Sequence, residues 1–338
     1  MDGFLNVFKP SGITSHDLVL LVRRVFGEDR TGHLGTLDPL AVGVLPMALG
    51  AYRRLSEYFL AHDKRYLAEF RFGLVSDTDD LDGNVSETGL AGSLSEKDVL
   101  SRLPDFTGVI LQEPPAYSAL KVKGRRLYDL AREGAEVPVK PRRVAVYELR
   151  LVGWKPGRTP SGLFSMRVGR GTYVRSLASG LGDALGCGAV VSYLLRVSSG
   201  TFRLKDSVTP QELLRAKTAK DKRALLVDPL LALPDFLRFQ IKPSTLKKID
   251  NGVELRPGDF LEAARVASLV SASLKEEPRE APKEKGGSKE DRRMFLAYDR
   301  DALGSPRVLA VLYPEEGKLK YDKVITRESD LVASHRTD

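Results

Sequence analysis

Short apolar runs alternate along the chain with turn-forming clusters, a pattern that predicts a mixed α and β protein. Phe4-Leu5-Asn6-Val7-Phe8 reads as a strand and Lys9-Pro10-Ser11-Gly12 as a turn. Thr14 or Ser15 is placed to cap a helix to about Phe26, with Leu18, Val22 and Val25 on one face. A second helix is predicted from about Tyr52 to Ala61. From Tyr66 the period falls to two: Tyr66, Ala68, Phe70 and Phe72 share one side and Leu67, Glu69 and Arg71 the other, which predicts an amphipathic strand. Residues 93–107 predict a short helix capped by Ser95. Residues 144–154 and 163–168 predict two strands around a Pro/Gly loop, and an apolar helix follows to Leu185. Thr209-Pro210 opens a further helix, with Pro229 and Pro234 as breakers.

Past Phe236 the character changes, and a second domain is expected over 236–338 after a first over 1–235. Asn251-Gly252 and Pro257-Gly258-Asp259 mark turns between short apolar runs. Residues 275–293, KEEPREAPKEKGGSKEDRR, are almost wholly charged, Pro or Gly and are expected to be a disordered loop. Met294–Tyr298, Val308–Tyr313 and Lys320–Ile325 read as strands, so a small β-barrel interrupted by that loop is predicted.

Composition narrows the classes. The 338 residues are 42% hydrophobic, enough for a sizeable core, yet no apolar run is long enough for a membrane span. The opening MDGFLNVFKPSG has no secretory pattern. Cys187 is the single cysteine, so no internal disulfide can form, and with four histidines it argues against a structural zinc site. A reducing cytoplasm and a monomer are expected. The net charge of +8 suits a polyanionic partner without requiring one.

Candidate chemistry centres on GHLGTLDPLAVGVLPMALG, residues 32–50, in which Asp38 is the only acidic side chain. Asp-Pro commonly just starts a turn. Here the run after Asp38 is nearly all apolar, so its carboxylate should lie at the edge of a buried surface, with desolvation and a cationic partner setting its reactivity. The acidic loop Ser76–Gly83 is no EF-hand, because Thr88 stands where the distal glutamate is needed. Lys121, Lys123, Arg125 and Arg126, then Tyr128, Arg132, Lys140, Arg142 and Arg143, form the densest basic stretch, suited to phosphates or to a solvated helix face. Arg175, in Gly171-Thr172-Tyr173-Val174-Arg175-Ser176-Leu177, reads by itself as an ordinary helix-start arginine. No P-loop sequence is present.

Taken together these segments resemble the TruB family of tRNA pseudouridine synthases. The likeness runs over about residues 4–235, through KPSGITSHDLV, the Asp38 stretch, Lys64-Arg65-Tyr66, the acidic loop, QEPPAYSALKVKGRRLYDLAREG, the Gly171–Leu177 run and Leu194–Phe202. Ser76 and Val197 depart from the family's usual threonine and second arginine. The resemblance implies an α+β pseudouridine synthase fold: a central, mainly antiparallel mixed sheet flanked by helices, plus a C-terminal PUA-like β domain. It implies isomerisation of uridine 55 in the T-loop of tRNA to pseudouridine, without cofactor or metal. The partner would be the T-arm stem-loop, embraced by a basic insertion at about 110–143.

Residue by residue, the resemblance makes Asp38 the catalytic aspartate and Arg175 its partner. Tyr66 would stack on the flipped base and help move a proton, against the plainer reading of a core tyrosine. His33 would hold the base extruded or be a core histidine. Asp80 would lie near the substrate pocket or only shape a turn. Lys9 would meet a phosphate or be a solvated lysine. Tyr173 and Leu195 would pack beside the base, and Lys121 would contact RNA. Whether Asp38 attacks C1′ or C6, or acts through a glycal, stays open. An RNA-binding protein without catalysis is the competing reading, and a glycosidase would need paired carboxylates.

Overall fold

A computed structural model describes residues 1–115, 117–118, 140–274 and 293–325, and the backbone alone of the short strands Lys121–Val122 and Arg125–Arg126. The expectations for Lys123, Tyr128, Arg132, the side chain of Lys121 and the 275–292 stretch therefore lie outside the described residues.

The dominant layer is a ten-stranded mixed sheet. Its main path runs Leu226–Val227, Gly3–Lys9, Val42–Leu49, Ala189–Ser199, Lys64–Phe72, Ser161–Val168, Arg142–Lys155, Gly108–Gln112. Along it only Val42–Leu49 and Ala189–Ser199 pair in parallel; the other neighbours are antiparallel. The central strand Ala189–Ser199 was not predicted. Ala189, Val190 and Val191 are all buried, so the alternation that flags a half-exposed strand is absent at its start.

The Val42–Leu49 strand shows how its sequence fits this position. Its first residues pair with Leu195 and Arg196, and its last three with the short strand Thr31–His33. Pro46 falls between these two ladders, where no N–H is required, while its carbonyl accepts from Leu34 N at 2.8 Å. Gly43 has φ +107, and a Cβ there would lie 2.4 Å from the Arg196 carbonyl, so only glycine allows the two strands to meet.

The Ser15–Phe26 helix begins with a capping box, Thr14 and Asp17 bonding reciprocally, and ends on Gly27 in the left-handed region. Together with the Val174–Ala184 helix it packs on one face of the sheet, where Leu18, Val22, Leu177 and Leu181 join Phe70, Phe72 and Phe164 in one core. The helix predicted at 93–107 is instead Glu96–Arg102 followed by a 3₁₀ turn at Leu103–Phe106, because Pro104 cannot continue the α ladder.

The C-terminal part contains an open four-stranded sheet, ordered Leu237–Gln240, Phe295–Arg300, Pro306–Glu315, Lys318–Val324, where a barrel was expected. An unpredicted helix, Ala263–Ser273, covers it through Val266. This sheet docks on the first: Leu296, Val308, Val311 and Ile325 share a core with Phe4, Tyr52, Leu55 and Phe59. Val308 N donates to the buried Tyr52 hydroxyl at 2.9 Å, and Tyr58 hydrogen-bonds Asp322. No described helix is long and apolar enough to cross a membrane.

Candidate active site

Asp38 sits on the loop between Thr31–His33 and Val42–Leu49, and that loop is held at every carbonyl from Gly35 to Ala41. Arg196 donates to Thr36 O at 3.1 Å and to Gly35 O at 3.0 Å, and its Nε reaches Val44 O at 2.7 Å. Ser15 Oγ donates to Leu37 O at 2.8 Å and accepts from Leu37 N at 2.9 Å. Asp38 O accepts from Ala41 N at 3.1 Å, closing the Asp-Pro turn. Lys9 Nζ donates to Pro39 O and Ala41 O at 3.0 and 2.7 Å, and Ser11 Oγ to Leu40 O at 3.1 Å. Apart from the Ala41 N bond to Asp38 O, the loop's carbonyls are held by donors from Ser11, Ser15, Lys9 and Arg196, which set its shape.

This corrects the expectation for Lys9. Its side chain is completely buried and its ammonium is committed to three carbonyls, including Pro10 O, so it braces the Asp38 loop and does not face a phosphate. Burial lowers its pKa to about 8, with the Asp38 carboxylate the leading opposing influence. Arg196, the first arginine of the Leu194–Phe202 stretch, is likewise buried and bonded only within the fold. Its role was not legible from the sequence, because the strand that carries it shows no alternation at its start and its acceptors lie on a distant loop.

Arg175 meets Asp38 from the second buried residue of the Val174–Ala184 helix. Its Nε lies 2.9 Å from Asp38 Oδ2 and 3.7 Å from Asp80 Oδ2. Its Nη1 donates to Thr78 O at 2.8 Å and Nη2 to Tyr117 O at 2.9 Å. The Arg175 and Asp80 side chains are each 5% exposed, whereas Asp38 is 34% exposed. The guanidinium is thus locked on its inner sides, and the one carboxylate open to solvent is Asp38. Asp80 is more than a turn residue: Thr78 Oγ1 donates to its Oδ1 at 2.5 Å and Asp82 N at 3.1 Å, and burial raises its pKa. Beside it Asp79 adopts φ 59, and burial pushes its carboxyl up to about 6.

The other predicted residues are placed by the sheet and by the Arg175 helix. Tyr66 is half-buried against the main core, and across the sheet its partners are Met166 and Arg196. It therefore shares a face with the arginine that braces the Asp38 loop. Leu195 stands across from Leu67 and Val42, at the point where the Asp38 loop enters the sheet. His33 is half-buried opposite Met47. Tyr173 is the N-cap of the Arg175 helix and lacks a side-chain cap of its own. The Gln112 side chain, which the sequence did not single out, holds the N-cap residue's own peptide groups instead: it accepts from Tyr173 N at 2.8 Å and donates to Tyr173 O at 3.0 Å. Among the described residues no group of His, Cys, Asp and Glu is arranged to hold a metal ion.

The family model described as the TruB family pseudouridylate synthase N-terminal domain matches residues 23–174, and that of the tRNA pseudouridylate synthase B C-terminal domain matches residues 175–243. A tRNA pseudouridine synthase B of Moorella thermoacetica is 43% identical over 255 residues, covering 75% of this chain and 83% of that protein. One from Acaryochloris marina is 46% identical over 239 residues, covering 69% of this chain and 82% of the relative. Among solved structures, that of a Cbf5–Nop10–Gar1 complex contains a chain similar in fold, with TM-score 0.64 at 23% identity over 97% of this chain and 86% of that one. Sequence, motif order and fold agree: the chain belongs to the TruB family of pseudouridylate synthases.

Proposed function

We propose that the protein isomerises uridine 55 in the T-loop of tRNA to pseudouridine. The observation that carries the reading is the Asp38–Arg175 pair: an accessible carboxylate held at 2.9 Å by an arginine that is itself buried. In the reaction the N1–C1′ bond breaks, the base turns, and C5 bonds to C1′. The C5 proton leaves and N1 gains one, so nothing is oxidised and no group is transferred. Arg175 engages Oδ2 of Asp38. The other oxygen, Oδ1, is the proposed reactive atom, acting at C1′ or C6 or as a base along a glycal route. All three routes need an oriented carboxylate, which a buried, permanently charged guanidinium at 2.9 Å supplies.

The target uridine is stacked within its loop and must be extruded, at a cost of a few kcal/mol. On this reading Tyr66 is the platform for the flipped base, Leu195 and Tyr173 line its pocket, and His33 occupies the gap it leaves. Lys121 and its basic neighbours grip the T-arm phosphates. Residues 1–235 form the catalytic unit and 236–338 an accessory PUA-like unit. The proposal takes the protein as a monomer working in the cytoplasm.

The test is release of tritium from an unmodified tRNA transcript labelled at uracil C5. Release by the wild-type protein, absent in Asp38→Asn while tRNA binding persists, is the expected result. Near-normal release by Asp38→Asn sinks the assignment. Tight tRNA binding with no release by the wild type favours an RNA-binding role without catalysis.

A further inference from the structure

The reactive pair depends on an arginine whose helix starts without a side-chain cap, and the stretch just before the basic insertion ties that start down instead. Gln112 ends the edge strand Gly108–Gln112 and is buried. Its amide closes a two-bond ring on the Tyr173 peptide, accepting from N at 2.8 Å and donating to O at 3.0 Å. One residue on, Glu113 O accepts from Ser176 Oγ at 2.8 Å. Pro114 and Pro115 follow, both buried, and Tyr117 O then accepts from Arg175 Nη2 at 2.9 Å. The first turn of the Arg175 helix and the guanidinium itself are thus both tied to residues 112–117.

We infer that Gln112 is a positioning residue for the reaction: it fixes the helix start that aims Arg175 at Asp38, and it couples that aim to the segment through which the chain enters its basic insertion. The inference rests on the proposed reaction. The physical argument is geometric. A side-chain amide holds its donor and acceptor on separate atoms in one plane, so by bonding both the N–H and the carbonyl of Tyr173 it fixes the backbone's rotation there as well as its position. Arg175 lies two residues beyond Tyr173, and its contact with Asp38 is a single bond from Nε. A small rotation of the helix start moves Nε off Oδ2 while leaving the fold intact. The two prolines between Glu113 and Tyr117 restrict the segment's backbone, so movement at the insertion root reaches Arg175 through Tyr117 O.

The test uses the full chain, C5-tritiated tRNA transcript and Gln112→Met, which keeps the length and loses both hydrogen bonds. Gln112→Glu is the second variant: it keeps the acceptor for Tyr173 N and loses the donor. Rates are measured in single turnover with saturating enzyme in excess, so that a misfolded fraction does not change the rate constant, and tRNA affinity is measured separately. Misplacement of a reactive group costs up to about 100-fold, so Gln112→Met is expected to slow turnover by about 10- to 100-fold with affinity within about twofold. Gln112→Glu is expected between the two. An unchanged rate in Gln112→Met overturns the inference, as does a loss that vanishes at saturating enzyme, which would make Gln112 a substrate-binding residue. Should Gln112→Met fail to fold, a Gln112→Glu rate equal to wild type overturns it. No release by the wild type removes the proposed reaction, and this inference falls with it.

Discussion

Replacing Arg175 by methionine tests the centre of the proposed site, because the structure separates its effect on rate from its effect on stability. Only one of the arginine's hydrogen bonds reaches the reactive group, the 2.9 Å bond from Nε to Asp38. A hydrogen bond to a charged group contributes about 1.5–3 kcal/mol, and each 1.36 kcal/mol is tenfold in rate, so about 10- to 150-fold is lost if that bond alone orients the carboxylate. The stability effect comes from the other side. Asp80 is 5% exposed and loses the cation 3.7 Å away. Breaking a buried pair costs about 3–5 kcal/mol when nothing compensates. Asp80 keeps its bonds from Thr78 Oγ1 and Asp82 N, and Asp38 is 34% exposed, so roughly 2 kcal/mol is the better figure. The assay is single-turnover tritium release alongside a thermal melt. Arg175→Lys is the control: it keeps the charge near Asp38 but cannot serve Thr78 O and Tyr117 O as well, so it should fall between wild type and methionine. A methionine variant within about threefold of wild type, or a lysine variant no faster than methionine, refutes the reasoning.

Other consequences follow from the same geometry. Asp79→Asn should raise the melting temperature at pH 8 and leave it unchanged near pH 3: burial raises the native carboxyl from 3.8 to about 6, so its ionisation destabilises the fold as pH rises through that window. Asparagine also tolerates the φ of 59 at this position, so no backbone strain offsets the gain; an unchanged melt at pH 8 refutes it. Turnover should show an alkaline limb near pH 8, where Lys9 loses the proton that lets it serve three carbonyls. The lowered pKa makes the fold itself gain stability from about pH 8 toward 10.5, so falling activity without falling stability is the signature to look for in paired rate and melting profiles. Deleting residues 121–132 should weaken tRNA binding and flatten its salt dependence by about 0.9 in log–log slope for each phosphate that is no longer neutralised; equal affinity for the deletion refutes the insertion's role.

Much of this architecture is legible in the sequence alone, and the reason is local. Thr14 with Asp17, Ser95 with Asp98, and Thr209-Pro210 with Glu212 are capping boxes whose partners are three residues apart. The Lys64–Phe72 strand carries its own alternation. What could not be read was decided by distant chain. The Ala189–Ser199 strand lies inside the sheet and is apolar toward both sides at its start, so no period marks it. Gln112 looks like any polar residue before a proline pair until Tyr173, 61 positions away, comes beside it. The apolar stretch after Asp38 was legible as buried, but not that Pro46 would fall in the gap between two ladders.

Arg175 and Arg196 make the physical point most sharply. Both are buried arginines beside the same loop. Arg175 faces two carboxylates and holds one oxygen of Asp38. Arg196 faces only carbonyls and sets the loop's shape. A buried guanidinium satisfied by backbone oxygens keeps its full charge with no anion to neutralise it, and with Lys9 it leaves two such cations beneath Asp38. The aspartate therefore owes its place to one visible ion pair and to two braces that hold its loop through carbonyls alone. Losing a brace should reach turnover through the shape of the loop, and losing Arg175 through the orientation of a single oxygen.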